Sequence, residues 1–244
     1  MTDNPWVSRR HSRPDAPFRL YCFPYVGGLP GEYLRWDERL TDVEVCGVVP
    51  PGRGERLFEP AIDRLDPLVD AIVAAVPFRP PFALFGHSLG ALVAFQTARV
   101  LTAAGRPPAC LFVSGHRPPQ LPQGDVPIHG LPPDEFRSEI TRRYPAAPAE
   151  LVADDELYGH VIDTFRADLA VFETYRHVPG PPLPCPLVVL SGVDDAWTAD
   201  ELSAWRGHTS AAVAVHLIPG DHFYLRHQAT KAVEIIGTVL RGLS

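Results

Sequence analysis

The pentapeptide Gly86-His87-Ser88-Leu89-Gly90 holds a serine between two glycines in the pattern G-x-S-x-G. The apolar run Phe82–Phe85 precedes it, and the helix-like run LGALVAFQTARVL follows it. This strand–turn–helix setting is typical of a nucleophile elbow, where a tight, strained turn exposes the serine Oγ at the edge of a sheet. Side chains at the two glycine positions would clash with the strand and the helix. The setting therefore predicts that Ser88 is the nucleophile of a serine hydrolase.

A serine hydroxyl is a weak nucleophile at neutral pH and needs a general base that a third group orients. On an elbow of this kind, the acid and then the histidine follow the serine along the chain. The strand pattern Leu187–Ser191 is followed by Asp194 and Asp195, and the G-x-x-D spacing favours Asp195 of the two. His222 comes shortly after the last strand pattern, Val213–Ile218. We therefore predict that His222 is the general base and acid and that Asp195 fixes its tautomer.

The chain has ten histidines, so His222 has alternatives for the role of general base. His227 lies about one helical turn further on and is the main alternative. The side chain of His87 would leave the turn in a different direction from that of Ser88. His216 belongs to a strand pattern, where packing or surface exposure is expected. Four others belong to an insert described below: His116, His129, His160 and His177.

Acyl transfer also needs backbone N–H groups that stabilise the oxyanion. Leu89 supplies one candidate, because its N–H lies at the positive end of the helix that follows Ser88. The second donor is expected in the loop after an early strand, and Phe23–Gly28 (FPYVGG) is that loop. Its paired glycines let the backbone turn back over Ser88. We predict Val26 as the second donor, with Tyr25 as the alternative.

Short apolar runs alternate with longer amphipathic runs along the chain. The runs that predict strands are Phe18–Phe23, Val43–Val49, Phe82–Phe85, Cys110–Ser114, Leu187–Ser191 and Val213–Ile218. The helical candidates are Gly31–Leu40, Ile62–Val76, Leu89–Ala104, and a last helix from His222 or slightly later to Leu240. This alternation predicts right-handed crossovers and a mainly parallel sheet covered on both faces. The expected fold class is α/β, with a single domain over residues 1–244.

Residues 116–186 interrupt the alternation. The segment begins and ends Pro-rich, and helical patterns lie near Pro133–Tyr144, Ala149–His160 and Asp163–His177. Inserts this long are uncommon as bare loops and are often functional. We interpret the insert as a helical lid over the active site, and the alternative is a helical decoration that only stabilises the fold.

Composition narrows the classes of function. The net charge is −7 and no Lys/Arg run is present, so nucleic acid is not expected as a partner. Neither an apolar stretch long enough to span a membrane nor a signal-peptide pattern is visible, so a cytoplasmic enzyme without a membrane partner is expected. The four cysteines are widely spaced and form no C-x-x-C pair. They predict buried thiols rather than a zinc site, a catalytic thiol or a disulfide.

These elements together resemble the stand-alone type II thioesterases that accompany polyketide synthases and nonribosomal peptide synthetases. The resemblance runs from about Phe18 to the C-terminus. It rests on FPYVGG with Trp36 downstream, VVPPGRGER, GHSLG, the RPP…IHGLPPDEF stretch, FRADL with ETY after it, GVDD and GDHFYL. The family often has H-A-G-G at Tyr25–Gly28, and the bulkier side chains here imply a differently shaped acyl pocket. Its G-D-x-D-P acid loop aligns with Asp195 rather than Asp194.

The resemblance implies an α/β-hydrolase fold with a helical lid at about residues 116–186. It implies an editing thioesterase that removes stalled or aberrant acyl groups from the phosphopantetheine arm of acyl or peptidyl carrier proteins. No cofactor or metal of the chain's own is implied, and we expect a monomer. The alternatives are a carboxylesterase, lipase or amidase acting on small molecules with the same triad, and a catalytically inactive binding module.

Two charged motifs remain. Pro51–Arg56 (PGRGER) is not a phosphate loop, since no G-K-[ST] follows, and its arginines are expected to form local ion pairs. The alternative is that they meet an acidic carrier protein. Arg166 and Asp168 lie two residues apart in a helical pattern of the insert, so they do not face each other. We expect them to pair structurally with the core.

Overall fold

The computed structural model describes residues 4–121, 126–143 and 156–243 of the 244-residue chain. Within these ranges one seven-stranded sheet has the strand order β1-β3-β2-β4-β5-β6-β7. Strands β2 to β7 are parallel, and β1 pairs antiparallel with β3. The strands are β1 (Val7–Ser8), β2 (Phe18–Phe23), β3 (Val43–Val48), β4 (Phe82–His87), β5 (Cys110–Ser114), β6 (Leu187–Gly192) and β7 (Val213–Ile218).

Helices cover both faces of this sheet. They are α1 (Gly31–Leu34), α2 (Leu65–Ala75), α3 (Leu89–Ala103), α4 (Pro133–Arg143), α5 (Glu156–Thr174), α6 (Ala199–Ser203) and α7 (Leu225–Arg241). Short 3-10 turns lie at Arg35–Glu38, Gly54–Arg56 and Ala204–His208. The mainly parallel α/β sheet predicted from the alternation of runs is therefore confirmed.

The core forms on both sides of the sheet because successive strand residues face opposite ways. In β2, Tyr21 and Phe23 belong to the apolar cluster that includes α2 and α3. Leu20 and Cys22, between them, belong to the cluster that includes α1 and α7. Every residue of β2 is buried, as expected for a strand covered on both faces. The four cysteines are buried free thiols, as predicted.

Several predicted boundaries differ from the structure. β4 continues two residues past Phe85, and the strand Val7–Ser8 and helix Ala199–Ser203 were not predicted because two- and five-residue elements carry too little pattern. The expectation of one helix over Gly31–Leu40 is wrong. The α-helix there ends at Leu34 and continues as a 3-10 turn.

The insert between β5 and β6 contains α4 and α5. The predicted break between helices near His160 and Asp163 is wrong, because α5 runs continuously through these positions. Val161 and Ile162 pack there against a third apolar cluster, formed by Ile128, Phe136, Ile140, Phe165 and Leu169, and this packing favours an unbroken helix. The start of the predicted helix Ala149–His160 lies outside the described residues. No helix in the described ranges has the length and apolarity needed to cross a bilayer.

The order of the strands fixes where a site can form. β3 lies on one side of β2 and β4 on the other, so the sheet changes its direction of growth between β2 and β4. Ligands of open parallel sheets bind outside the carboxyl ends of the strands at such a switch point. The loops that leave this edge carry Val26, Ser88, Asp195 and His222.

Candidate active site

Ser88 lies on a strained turn between β4 and α3. Its backbone has φ 54° and ψ −121°, and it is the one non-glycine residue at positive φ in the described chain. Such conformations cost about 1–3 kcal/mol and persist where the surroundings enforce them. Here the Ser88 N–H donates to the carbonyl oxygen of Ser114 at 2.8 Å, which ties the turn to β5.

The two glycines of the pentapeptide make this turn sterically possible. A Cβ at Gly86 would lie 2.0 Å from the carbonyl oxygen of Gly90. A Cβ at Gly90 would lie 2.1 Å from the carbonyl oxygen of Phe23. Both contacts are with backbone atoms and cannot be relieved by a side-chain movement. Strand β4, helix α3 and the end of β2 therefore approach one another only because these two side chains are missing.

His222 is paired with Asp195. Its Nδ1 lies 3.0 Å from Asp195 Oδ2 and 3.2 Å from Oδ1. The carboxylate also accepts hydrogen bonds from the Ala196 N–H at 2.8 Å and the Ser191 hydroxyl at 3.4 Å. Only 3% of the Asp195 side chain is exposed, against 30% for His222. A carboxylate at Nδ1 holds the proton on that nitrogen, which leaves Nε2 free to accept one.

The structure distinguishes Asp195 and His222 from the alternatives that the sequence offered for the acid and the base. Asp194 is exposed, and its N–H donates to the carbonyl oxygen of Gly220. His227 is exposed on α7. Of the two aspartates, the structure therefore brings Asp195 to His222.

Two further glycines allow His222 to reach the elbow. A Cβ at Gly192 would lie 2.3 Å from the carbonyl oxygens of Gly220 and Asp221, the residues that precede His222. A Cβ at Gly115, where φ is +58°, would lie 2.7 Å from His87 Cε1 and 3.3 Å from His222 Cε1, so this glycine makes room for both rings. The His222 ring lies 5.0 Å, centroid to centroid, from the ring of His87, the neighbour of Ser88. Among the described residues, Ser88 Oγ makes no hydrogen bond to His222, a contact that often tightens only with substrate bound.

A buried polar chain lies beneath the turn and was not predicted. His87 Nδ1 is 2.8 Å from Ser114 Oγ, which in turn is 2.7 Å from the Tyr224 hydroxyl. Burial lowers the pKa of His87 well below its usual 6.5, and the nearby His222 lowers it further. Burial therefore favours the neutral imidazole, which serves the chain as a hydrogen-bonding group. His87 and Ser114 are paired across β4 and β5, and this register is the signal that would have placed them together.

The loop after β2, Tyr25–Gly28, is called here the oxyanion loop. Gly27, at φ +67°, donates its N–H to Asp168 Oδ2 at 2.8 Å. Gly28 donates its N–H to the carbonyl oxygen of Tyr25 at 2.8 Å. No hydrogen bond within the described residues uses the N–H of Tyr25 or of Val26. The loop therefore keeps both predicted donors available.

The charged motifs are arranged differently from the sequence expectation. Arg56 forms the predicted local ion pair, with Glu59 three residues later. For Arg53 the prediction is wrong, since its Nη2 donates to Asp168 Oδ1 at 2.6 Å across 115 residues of sequence. Asp168 pairs with the core as expected. Arg166 does not, because it donates to carbonyl oxygens at positions 129 and 131 of the insert.

The described residues contain no group of three or more His, Cys, Asp or Glu side chains placed to hold a metal ion. The site consists of a serine on a strained elbow after a central strand, with an acid and a histidine after later strands. Together with the mainly parallel sheet, this arrangement defines an α/β-hydrolase.

Comparison with known proteins identifies the family to which this α/β-hydrolase belongs. The family model described as thioesterase domain matches residues 18–240, so the chain belongs to the thioesterase domain family and is a thioester hydrolase of the serine hydrolase type. The thioesterase PikA5 of Streptomyces venezuelae is 39% identical over 241 residues, covering 93% of this chain and 85% of that protein.

Two solved structures share the fold. One is the thioesterase RedJ from the prodiginine biosynthetic pathway of Streptomyces coelicolor, with a TM-score of 0.82 and 36% identity over 94% of this chain and 91% of that one. The other is the type II thioesterase BorB from the borrelidin biosynthetic cluster, with a TM-score of 0.84 and 32% identity over 96% of each chain.

Proposed function

We propose that this thioesterase hydrolyses stalled or aberrant acyl groups from the phosphopantetheine arm of carrier proteins in polyketide or nonribosomal peptide assembly. The observation that carries the proposal is the pairing of His222 with Asp195 beside the strained Ser88, in a chain of the thioesterase domain family. The relatives named above support the setting, since RedJ and BorB belong to the prodiginine and borrelidin pathways.

In the first step of the proposed mechanism, His222 Nε2 takes the proton of Ser88 Oγ as that oxygen attacks the thioester carbonyl carbon. The new C–O bond forms as the carbonyl π electrons move onto oxygen, and the N–H groups of Leu89 and Val26 stabilise the resulting oxyanion. Asp195 stabilises the imidazolium without taking its proton. The C–S bond then breaks, and the imidazolium proton goes to the departing thiolate.

In the second step, water replaces the thiol. His222 takes one proton from water as the hydroxide oxygen attacks the acyl carbon on Ser88, and a second oxyanion forms at the same N–H groups. Its collapse releases the carboxylic acid and returns the proton to Ser88 Oγ. The chain supplies every proton transfer itself, and the pantetheine thiol belongs to the carrier protein, so the proposal needs no cofactor held by this chain.

The proposal is tested with a short and a long acyl group, each presented in three forms. These are a thioester on a carrier protein, a thioester on N-acetylcysteamine, and an ethyl ester. We expect kcat/KM to be highest for the carrier-bound thioester and lowest for the ethyl ester, over both short and long acyl groups. A higher kcat/KM for the ethyl ester would instead favour the small-molecule esterase. The corresponding amide is assayed alongside, and its hydrolysis would favour the amidase.

Ser88→Ala is the control for this panel. We expect it to lower kcat by at least about 10⁴-fold on all three substrates, because it removes the attacking atom. The far-ultraviolet circular dichroism spectrum and the unfolding temperature should stay close to those of the wild type. Undiminished hydrolysis in a folded Ser88→Ala protein would contradict the proposed nucleophile.

A further inference from the structure

Helix α5 of the insert contacts the two loops that follow β2 and β3. The Thr164 hydroxyl donates to the carbonyl oxygen of Gly52, in the loop after β3. Phe165 covers the oxyanion loop so closely that a Cβ at Gly27 would lie 2.7 Å from its ring. Asp168, one helical turn after Thr164, reaches both loops, through the Gly27 N–H and Arg53.

The Arg53–Asp168 pair is buried and spans these loops. The two side chains are 7% and 3% exposed. Asp168 accepts with both oxygens, one from Arg53 Nη2 at 2.6 Å and the other from the Gly27 N–H at 2.8 Å. Arg53 Nη1 also donates to the carbonyl oxygen of Gly28 at 3.3 Å. The pair therefore holds two consecutive residues of the oxyanion loop.

These contacts fix the peptide group next to the proposed oxyanion donor. A peptide group is planar, so a Gly27 N–H held toward Asp168 forces the Val26 carbonyl to point the opposite way. The Gly27 N–H is therefore not available to an oxyanion. The N–H of the preceding residue, Val26, has no acceptor among the described residues and is available. The conformation of the loop is thus set by a helix that lies 141 residues further along the sequence.

We infer that Arg53 and Asp168 are positioning residues that set the oxyanion loop, so that the seating of α5 completes the oxyanion hole. The inference rests on the proposed function, in which Val26 donates to the oxyanion. Neither side chain touches the reacting atoms in this account, and both act through the loop.

Asp168→Asn is the sharpest variant, because it keeps the size of the side chain and changes only its hydrogen bonding. Both partners of Asp168 are donors, and an amide can accept at only one of its two terminal atoms. Its NH₂ group must therefore face either Arg53 or the Gly27 N–H, which displaces one of them. Loss of a whole oxyanion donor costs about 10²- to 10³-fold in kcat, so a displaced donor is expected to cost about 10- to 100-fold.

Glu173→Gln is the matched control on the same helix. The Glu173 carboxylate also accepts from backbone N–H groups, those of Ile128 and His129, and from His129 Nδ1 at 2.6 Å. Its partners belong to the insert and not to the oxyanion loop. The two amide variants should therefore lower the unfolding temperature to a similar extent, whereas Glu173→Gln should leave kcat within about twofold of the wild type.

The experiment measures kcat and KM on p-nitrophenyl butyrate, together with inhibition by an alkyl trifluoromethyl ketone. The ketone adds to the catalytic serine and places an oxyanion in the hole, so its affinity reports the donors directly. For Asp168→Asn we expect kcat to fall by about 10- to 100-fold with KM within about twofold, and the inhibition constant to rise by a similar factor. A role in stability alone would lower the unfolding temperature without weakening the inhibitor.

Three results would overturn the inference: a folded Asp168→Asn protein with wild-type kcat, an unchanged inhibition constant, or an equal loss of kcat in Glu173→Gln. Should Asp168→Asn fail to fold, Arg53→Lys is measured in the same way. It keeps the charge but loses the forked contact with Asp168 and Gly28, and kcat should fall by at least about threefold. The ester needs no carrier protein, so wild-type activity on it without activity on carrier thioesters would refute the proposed substrate and leave this inference standing.

Discussion

The proposed nucleophile, acid and base lie on loops that leave strands β4, β6 and β7, whereas the oxyanion loop after β2 is bonded, through the Gly27 N–H, to helix α5 of the insert. In the first region, main-chain hydrogen bonds between neighbouring strands fix the distances between these loops. Gly192, for example, is in register with Ile218 four residues before His222. In the second region, a buried ion pair and the Phe165 ring hold the glycines of the loop, while the Tyr25 ring packs against His87 and Phe223.

This difference assigns separate tasks to the sheet and the insert. Movement of α5 would leave Ser88, Asp195 and His222 in place, because their contacts are with the ends of β5, β6 and β7. It would alter the oxyanion loop, whose Gly27 N–H bonds to that helix. We call the loops after β4, β6 and β7 the sheet-held region and the oxyanion loop the insert-held region. Substitutions in the sheet-held region should therefore damage proton transfer, and substitutions where α5 contacts the oxyanion loop should damage oxyanion stabilisation.

With the Ser88 hydroxyl intact, the largest effect is expected at the acid of the sheet-held region. Asp195→Asn should lower kcat by about 10³- to 10⁴-fold, because an amide at His222 Nδ1 favours the wrong tautomer of the imidazole. Asp194→Asn is the matched control, since Asp194 is adjacent but exposed, and its kcat should stay within about twofold. Steady-state kinetics on one thioester measures both. Equal losses in the two variants would contradict the assignment of the acid.

A smaller effect is expected where the loop of the base crosses the end of β6. In Gly192→Ala, a Cβ 2.3 Å from two backbone carbonyl oxygens must push the His222 loop away from Asp195. We expect at least about a tenfold loss of kcat, which is the cost of a misplaced catalytic group.

Gly207→Ala provides the comparison for Gly192→Ala, because a Cβ at Gly207 meets nothing within 4 Å. Its kcat and its unfolding temperature should both stay near the wild-type values. The prediction for the His222 loop would be wrong if Gly192→Ala were folded and as active as Gly207→Ala.

The smallest expected effect is a pH dependence of stability from histidines beside the elbow. Burial lowers the pKa of His116 from 6.5 to about 4. Between these two pH values the unfolded chain binds more protons than the folded chain. The free energy of unfolding is therefore unaffected by the protonation of this histidine above about pH 6.5 and decreases as the pH falls toward 4. The free energy of unfolding should fall by up to about 1.4 kcal/mol per pH unit for this group.

His116→Phe removes this titration while keeping a ring against Phe172, which the His116 ring contacts at 5.7 Å. Urea unfolding at a series of pH values should show a shallower acid limb in the variant than in the wild type. His87, whose pKa is also lowered, should keep part of the slope. Identical slopes in the two proteins would show that His116 is protonated equally in the folded and unfolded chains.

The sheet-held region could be predicted from the sequence, and the insert-held region only in part. Ser88, Asp195 and His222 each follow a strand pattern, and parallel strands bring their carboxyl ends to one edge. The Arg53–Asp168 pair joins a loop to a helix of the insert across 115 residues, and no periodicity encodes that distance. A local ion pair for Arg53 was therefore the natural but wrong expectation.

Some secondary-structure elements could not be predicted from the sequence either, because long-range contacts determine them. The strand Val7–Ser8 is fixed by pairing with β3 rather than by its own two residues. The continuity of α5 through His160 and Asp163 depends on packing against the third apolar cluster, which forms only in the folded insert. Such long-range contacts decide local structure where intrinsic preference is weak.

The central claim is that the acyl group becomes covalently bound to Ser88 while the enzyme hydrolyses an acylated carrier protein. The direct test mixes enzyme and acyl carrier protein, stops the reaction in acid within a single turnover, and maps the acyl mass onto peptides by mass spectrometry. We predict an acyl increment on the peptide that contains Ser88, none in Ser88→Ala, and decay of the increment as free acid appears. An acyl group on another residue, or hydrolysis that proceeds equally in Ser88→Ala, would contradict the account.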